Sequence, residues 1–173
     1  MLTIGIIGGK GRMGAAFSKF LREQNYKVLV SDRRTVLSNK KLAQQSDVII
    51  ISVPINVTEK VIEGIVPYIK KSALLMDLTS VKEPPVKAML KSKASVIGLH
   101  PMCNETTFGP GQTLIYCPAR PGKWVKWIKE TFGEKGGLHL HKLTARKHDQ
   151  IMSFAPAIIH FSEFALGKTL QTL

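Results

Sequence analysis

The first fourteen residues constrain this chain more than any other stretch. Residues 2–7 are a short apolar run that stops at two glycines, Gly8 and Gly9. From Arg12 to Gln24 the apolar residues Met13, Ala16, Phe17, Phe20 and Leu21 recur at helical spacing. Between run and helix, Gly9, Gly11 and Gly14 form G-x-G-x-x-G, the setting in which a glycine turn can hold a dinucleotide. The pattern predicts that Gly9 permits the tight turn, that Gly11 lets a pyrophosphate approach the backbone, and that Gly14 lets helix and strand pack closely. The N-terminal turn of the helix, at Arg12 and Met13, then presents its N–H groups and its dipole to the phosphates. Asp32 follows a second strand, Lys27–Ser31, and is placed to accept hydrogen bonds from an adenosine ribose. Its charge favours NAD, whereas Arg33 and Arg34 would suit the extra phosphate of NADP. NAD is the expected cofactor and NADP the alternative.

Strands and helices alternate along the rest of the chain. A weak helix over 35–45 precedes the β-branched run 48–53, which Pro54 closes. Asn56 is the expected cap of a helix whose apolar face carries Val57, Val61, Ile62 and Ile65. Strands over 73–78 and 95–99 flank a short helix at 86–90, and residues 103–111 read as a polar loop. A strand at 114–117, a helix over 124–132 and a strand at 138–140 continue the pattern. Such alternation predicts an α/β fold, a doubly wound, Rossmann-like and mostly parallel sheet. From Thr144 onward the character changes to a long helix with apolar residues on nearly every face, which is expected to be buried. The expected division is therefore a dinucleotide-binding domain over 1–143 and the start of a helical unit over 144–173.

Composition narrows the partners. The 25 Lys and Arg residues against 12 Asp and Glu give a net charge of +13, which points to an anionic ligand. The basic residues are scattered, with never more than two adjacent, so a dinucleotide and a small dicarboxylate are expected and nucleic acid is not. No apolar stretch is long enough to span a membrane, and two cysteines make no disulfide scaffold. With no leader pattern at the N-terminus, a cytoplasmic protein is expected.

In a doubly wound sheet ligands bind beyond the carboxyl ends of the strands. Three such ends carry Ser52-Val53-Pro54, then Asp77-Leu78-Thr79-Ser80-Val81-Lys82, then Gly98-Leu99-His100-Pro101-Met102. With these segments, IIGGKGRMG at the start and HDQIMSF near the end, the sequence resembles the prephenate dehydrogenase family of tyrosine biosynthesis over essentially its whole length. The resemblance implies oxidative decarboxylation of prephenate to 4-hydroxyphenylpyruvate with hydride transfer to NAD. It implies His100 as the catalytic histidine and Ser80 as the residue that orients it and the substrate hydroxyl. Ser52, Val53 and Pro54 would border the cofactor. Lys82 would serve a substrate carboxylate, and His160 would line the substrate pocket on the first helix of a dimerisation domain. His148 matches a motif position to which the resemblance gives no role.

A neutral imidazole at His100 suits this chemistry, because it can accept the hydroxyl proton as a carbonyl develops. The bland alternative is a capping or core histidine. His139 and His141 alternate along a strand and read as a solvated face, so no metal site is expected. Cys103 and Asn104 stand where the family has a bulky apolar residue and glycine. The family's helical domain runs on for about another hundred residues, by ordinary domain sizes, and supplies a substrate-binding arginine. A homodimer through the C-terminal helix is expected, since that helix has nothing after it in this sequence to cover it. Two other readings compete: a different dehydrogenase of the same build (arogenate or hydroxyacid type), and a non-catalytic NAD-binding regulatory domain.

Overall fold

The architecture follows from two patterns, β-branched runs closed by glycine or proline and amphipathic helices between them. The computed structural model describes residues 1–171, with side chains for all of these but 155–160. Seven strands form one sheet: β1 (Thr3–Ile7), β2 (Lys27–Ser31), β3 (Val48–Ile51), β4 (Leu74–Asp77), β5 (Ser95–Pro101), β6 (Thr113–Arg120) and β7 (His139–Lys142). Their spatial order is β2-β1-β3-β4-β5-β6-β7. The first five are parallel, β6 runs antiparallel to β5, and β7 is parallel to β6. The chain leaves β1 for β2 on one side and returns to β3 on the other. The connections that follow β1 and β3 therefore leave toward opposite faces of the sheet, where the helices Arg12–Glu23 and Ile55–Ile65 pack, and open a crevice between them.

The helices are α1 (Arg12–Glu23), α2 (Asn39–Gln45), α3 (Ile55–Ile65), α4 (Glu83–Met89), α5 (Trp124–Ile128) and α6 (Ala145–Leu170). Alternate side chains of the strands feed two cores. Ile4, Ile6, Ile50, Met76 and Leu99 pack with Phe17 and Leu21 of α1 and with Trp124, Ile128 and Phe132. Ile7, Ile49, Ile51, Leu75 and Val96 pack on the opposite face with Leu42, Ile62 and Met89 from α2, α3 and α4. The period of two in the strands produces a helix layer on each side.

Several boundaries move from their sequence expectations. The second helix starts at Asn39, because the Thr35 hydroxyl bonds the Asp32 and Leu37 carbonyls and holds that segment in a turn, and Ser38 caps the helix. Asn56 is not a cap: α3 begins at Ile55 with Pro54 at the N-cap, so Asn56 lies inside its first turn. The helix at Trp124 changes to a π-helical turn over Lys129–Glu134. The C-terminal helix spans Ala145–Leu170, capped by the Thr144 hydroxyl. Apart from the half-buried Met152, its described large apolar side chains are exposed, not buried; Phe161 is 74% exposed, and Phe154, Phe164, Leu166 and Leu170 resemble it. The described sequence supplies no surface to cover them. Among the described residues no helix is long and apolar enough to cross a membrane.

Candidate functional site

The crevice between β1 and β3 is floored by glycines. Gly8 takes φ of +81°, a left-handed conformation that favours glycine, and donates its N–H to the Ser31 carbonyl at 2.8 Å. The sharp turn thus belongs to Gly8, whereas Gly9, expected there, is packed against Val30. A Cβ on Gly14 would strike the Gly8 carbonyl and lie 2.9 Å from the Gly9 Cα, so helix and turn touch backbone to backbone. Gly11 is the N-cap of α1 and has no side chain to occupy the free N–H groups of that helix end. These groups border a cavity of about 360 Å³ that brings Gly11, Arg12 and Met13 together with Ser52, Val53 and Pro54. The shape and donors fit a nucleotide diphosphate. Leu78 and Glu105 complete the lining, and the Arg12 guanidinium reaches the Glu105 carboxylate at 3.3 Å.

Asp32 stands at the end of β2, where its Oδ2 accepts the Lys10 N–H at 3.3 Å. The carboxylate is thereby tied to the glycine turn. Arg33 is exposed beside it. Sequence reasoning missed Gly8, although the doubled glycine marked it. Glu105 was invisible because it comes from a loop distant in sequence.

A second cavity, of about 490 Å³, opens beyond β4 and β5. His100 lines it, with Ser80, Val81 and Pro84 on one side and Asp149, Met152 and Ser153 of α6 on the other. Nδ1 of His100 lies 2.8 Å from Nε2 of His148, whose ring is wholly buried. Nδ1 of His148 lies 2.7 Å from Oδ1 of Asp149. That carboxylate also accepts the backbone N–H of Lys82 at 2.7 Å and that of Glu83 at 2.8 Å. Burial raises the Asp149 pKa, but the Glu83 N–H, His148 and the Lys82 N–H outweigh it and hold the group below the usual carboxylate range. It is therefore an acceptor only, and with a neutral His148 this dictates the tautomers. His148 donates from Nδ1 and accepts at Nε2; His100 donates from Nδ1 and keeps Nε2 as a free lone pair. Burial above all, helped by the neighbouring His148 ring and the Lys82 ammonium and opposed by Asp149, pushes the His100 pKa down to about 4. The ring is neutral at pH 7. Such a relay can orient an imidazole and receive a proton from a hydroxyl in the cavity.

The other expected site residues fall differently. Ser80 is exposed on the cavity rim and makes no hydrogen bond to His100; the orienting contact comes from His148. Lys82, expected to meet a substrate carboxylate, is entirely buried. Its ammonium is bound by Asp77 and by the Leu99 carbonyl at 2.6 Å, because its stem folds inward beneath β5. The side chain of His160 lies outside the described residues. His139 and His141 are exposed, and no group of three potential metal ligands occurs among the described residues. Burial holds the Cys103 thiol above its ordinary pKa, so it is not a ready nucleophile. The His148–Asp149 pair was legible only as an adjacent His-Asp at the start of an apolar helix.

With this geometry in view, the comparisons with known proteins are consistent. The model of the family "Prephenate dehydrogenase, nucleotide-binding domain" matches residues 13–137. The chain is 34% identical over 197 residues to a probable arogenate/prephenate dehydrogenase of Methanocaldococcus jannaschii, with 99% of this chain and 43% of that protein covered. It is 36% identical over 168 residues to the T-protein of Haemophilus influenzae, covering 96% of this chain and 44% of the relative. The chain thus spans less than half the length of these relatives. In fold it matches the crystal structure of a prephenate dehydrogenase from A. aeolicus in complex with hydroxyphenyl propionate and NAD+. That match has a TM-score of 0.77 and 21% identity, and covers 100% of this chain and 70% of the other. The chain belongs to the prephenate dehydrogenase family and carries its nucleotide-binding domain.

Proposed function

We propose that this chain is the cofactor-binding and base-bearing part of an NAD-dependent dehydrogenase acting on prephenate, with arogenate as the related alternative. The observation that carries the reading is the Asp149–His148–His100 relay, which leaves a neutral imidazole with a free Nε2 lone pair on the wall of the second cavity. In the nucleotide crevice, Gly8, Gly9, Gly11 and Gly14 form the cradle, α1 offers its N–H groups to phosphate, and Asp32 receives the ribose hydroxyls. When bound, the nicotinamide supplies the two-electron hydride acceptor.

The residues of the chain do the rest. The hydroxyl on the substrate ring donates to His100 Nε2. As hydride leaves the carbon bearing that hydroxyl, His100 takes the proton, a carbonyl develops, and departure of the ring carboxylate as carbon dioxide completes the aromatic ring. Asp149, acting through His148, stabilises the positive charge that reaches His100. Ser80 on the rim is positioned to meet the same hydroxyl.

Among the described residues the cavity lining carries the carboxylates of Glu83 and Asp149, the neutral His100 ring and neither lysine nor arginine. A dicarboxylate therefore needs cations from outside this lining. Homodimerisation through the exposed apolar residues of α6 is the arrangement we assign, with the division between the two units at Thr144 and His160 near their junction. The free cysteines Cys103 and Cys117 accord with a cytoplasmic location.

The test is to mix the protein with NAD and prephenate, then with NAD and arogenate, and follow NADH absorbance. Turnover supports the reading. NAD binding by calorimetry with no turnover on either substrate would favour a non-catalytic regulatory domain.

A further inference from the structure

A lysine is almost never fully buried unless it is paired, and replacing a buried ion pair by apolar residues is often neutral for stability. The wholly buried Lys82–Asp77 pair therefore calls for a reason beyond stability. Pairing of β4 with β5 ends at Asp77 and Gly98, one residue short of Leu99. At that point the Lys82 ammonium takes the Leu99 carbonyl at 2.6 Å, next to His100. The stem of the lysine crosses Gly98, where a Cβ would come within 3.0 Å of Lys82 Cδ and 3.2 Å of Asp77 Oδ1. Thr79 braces the same carboxylate with its N–H at 3.1 Å and with its hydroxyl. At its other end, the backbone N–H of Lys82 is one of the donors that hold Asp149.

We infer that Lys82 is a positioning residue of the His100 base, its ammonium fixing the strand end that carries His100 and its backbone N–H fixing the Asp149 end of the relay. The inference rests on the reading of His100 as the base given above. One residue thus spans the relay from end to end. Among the described residues, the charged and titratable groups around His100 are Lys82, His148, Asp149 and, along the cavity, Glu83. Those around Lys82 are Asp77, Asp149 and the Cys117 thiol. Lys82 also acts on His100 as a nearby positive charge that disfavours the imidazolium.

The test uses the full chain with Asp77→Asn and Lys82→Met together, which removes both buried charges and leaves neither unpaired. Three quantities are read: the titration midpoint of His100 by NMR, assigned with His100→Asn; kcat with NAD and prephenate; and NAD affinity by calorimetry. The expected result is a midpoint raised by about one pH unit, a kcat lowered about tenfold or more through misplacement of the base, and unchanged NAD affinity. A folded double variant with an unmoved His100 midpoint overturns the inference. If that variant does not fold, Gly98→Ala keeps both charges but crowds the lysine stem. It should move the His100 titration and lower kcat several-fold, and an unmoved titration again overturns the role. If the wild type turns over neither substrate, the functional reading fails by itself. The NMR midpoint then decides the role of Lys82 alone.

Discussion

Replacing Asp149 by Asn removes one charge and one acceptor without changing shape. The carboxylate accepts three hydrogen bonds, from His148 Nδ1, the Lys82 N–H and the Glu83 N–H. An amide has one oxygen, so whichever way it turns, at least one N–H faces an NH₂ group. Losing a charge-assisted hydrogen bond at this half-covered site costs about 1–3 kcal/mol, seen as a lower Tm. The effect on catalysis is larger. His148 is no longer compelled to donate from Nδ1, so His100 is no longer compelled to keep Nε2 free, and kcat should fall about 100-fold or more. NAD affinity, set in the other cavity, should not change.

The pH dependence separates the two effects. The Asp149 pKa is depressed in the folded state, so its contribution to stability is present above the unfolded carboxylate value near 3.8 and is lost as pH falls through the lower folded value. Thermal melts of wild type and Asp149→Asn should therefore differ at neutral pH and converge in strong acid. The acid limb of kcat/KM in the wild type should reflect His100, near pH 4 in the free enzyme. A variant that loses stability yet keeps its kcat would refute the relay and leave Asp149 as a helix cap only.

Three further outcomes follow from the same geometry. Gly11→Val should fold, because its Cβ comes no closer than 3.1 Å to the Gly8 carbonyl, but its branch enters the nucleotide cavity and should weaken NAD binding by about tenfold or more in calorimetry. Asp32→Ser should narrow the preference for NAD over NADP as Arg33 gains access to a 2′-phosphate; a wild type that already prefers NADP in the same titration would contradict the assignment. Phe164→Asp places a charge on the exposed face of α6 and should shift the protein from dimer to monomer in sedimentation, whereas a wild type that is already monomeric at micromolar concentration would dismiss the dimer.

The layered sheet was legible because each of the first five strands is a short apolar or β-branched run with its own stop signal, as in Val48–Ile51 before Pro54. Helix ends were less legible where side chains chose between caps and turns, as at Thr35 and Asn56. The first crevice follows from local spacing, since Gly11, Gly14 and Asp32 lie within one βαβ unit. The second cavity could not be read in that way. His148 and Asp149 reach His100 from α6, 48 residues further on in the case of His148. The direction in which a lysine points is set by packing, so Lys82 could be located in sequence but not aimed.

That long-range closure has a mechanical consequence. α6 begins at the Thr144 cap, and its first turns meet the rest of the fold at α4 and the end of β6. Among the described residues the apolar contribution there is small: Ala145 is partly buried and Met152 half-buried, while the large apolar residues described further along are exposed. Among the described residues, the specific bonds across the junction are those of Asp149 to the first turn of α4 and of His148 to His100. Docking of α6 and orientation of the base therefore share the same atoms. A tilt of α6 away from α4 would withdraw His148 from His100 and free its tautomer, so the base proposed above depends on a seated helix.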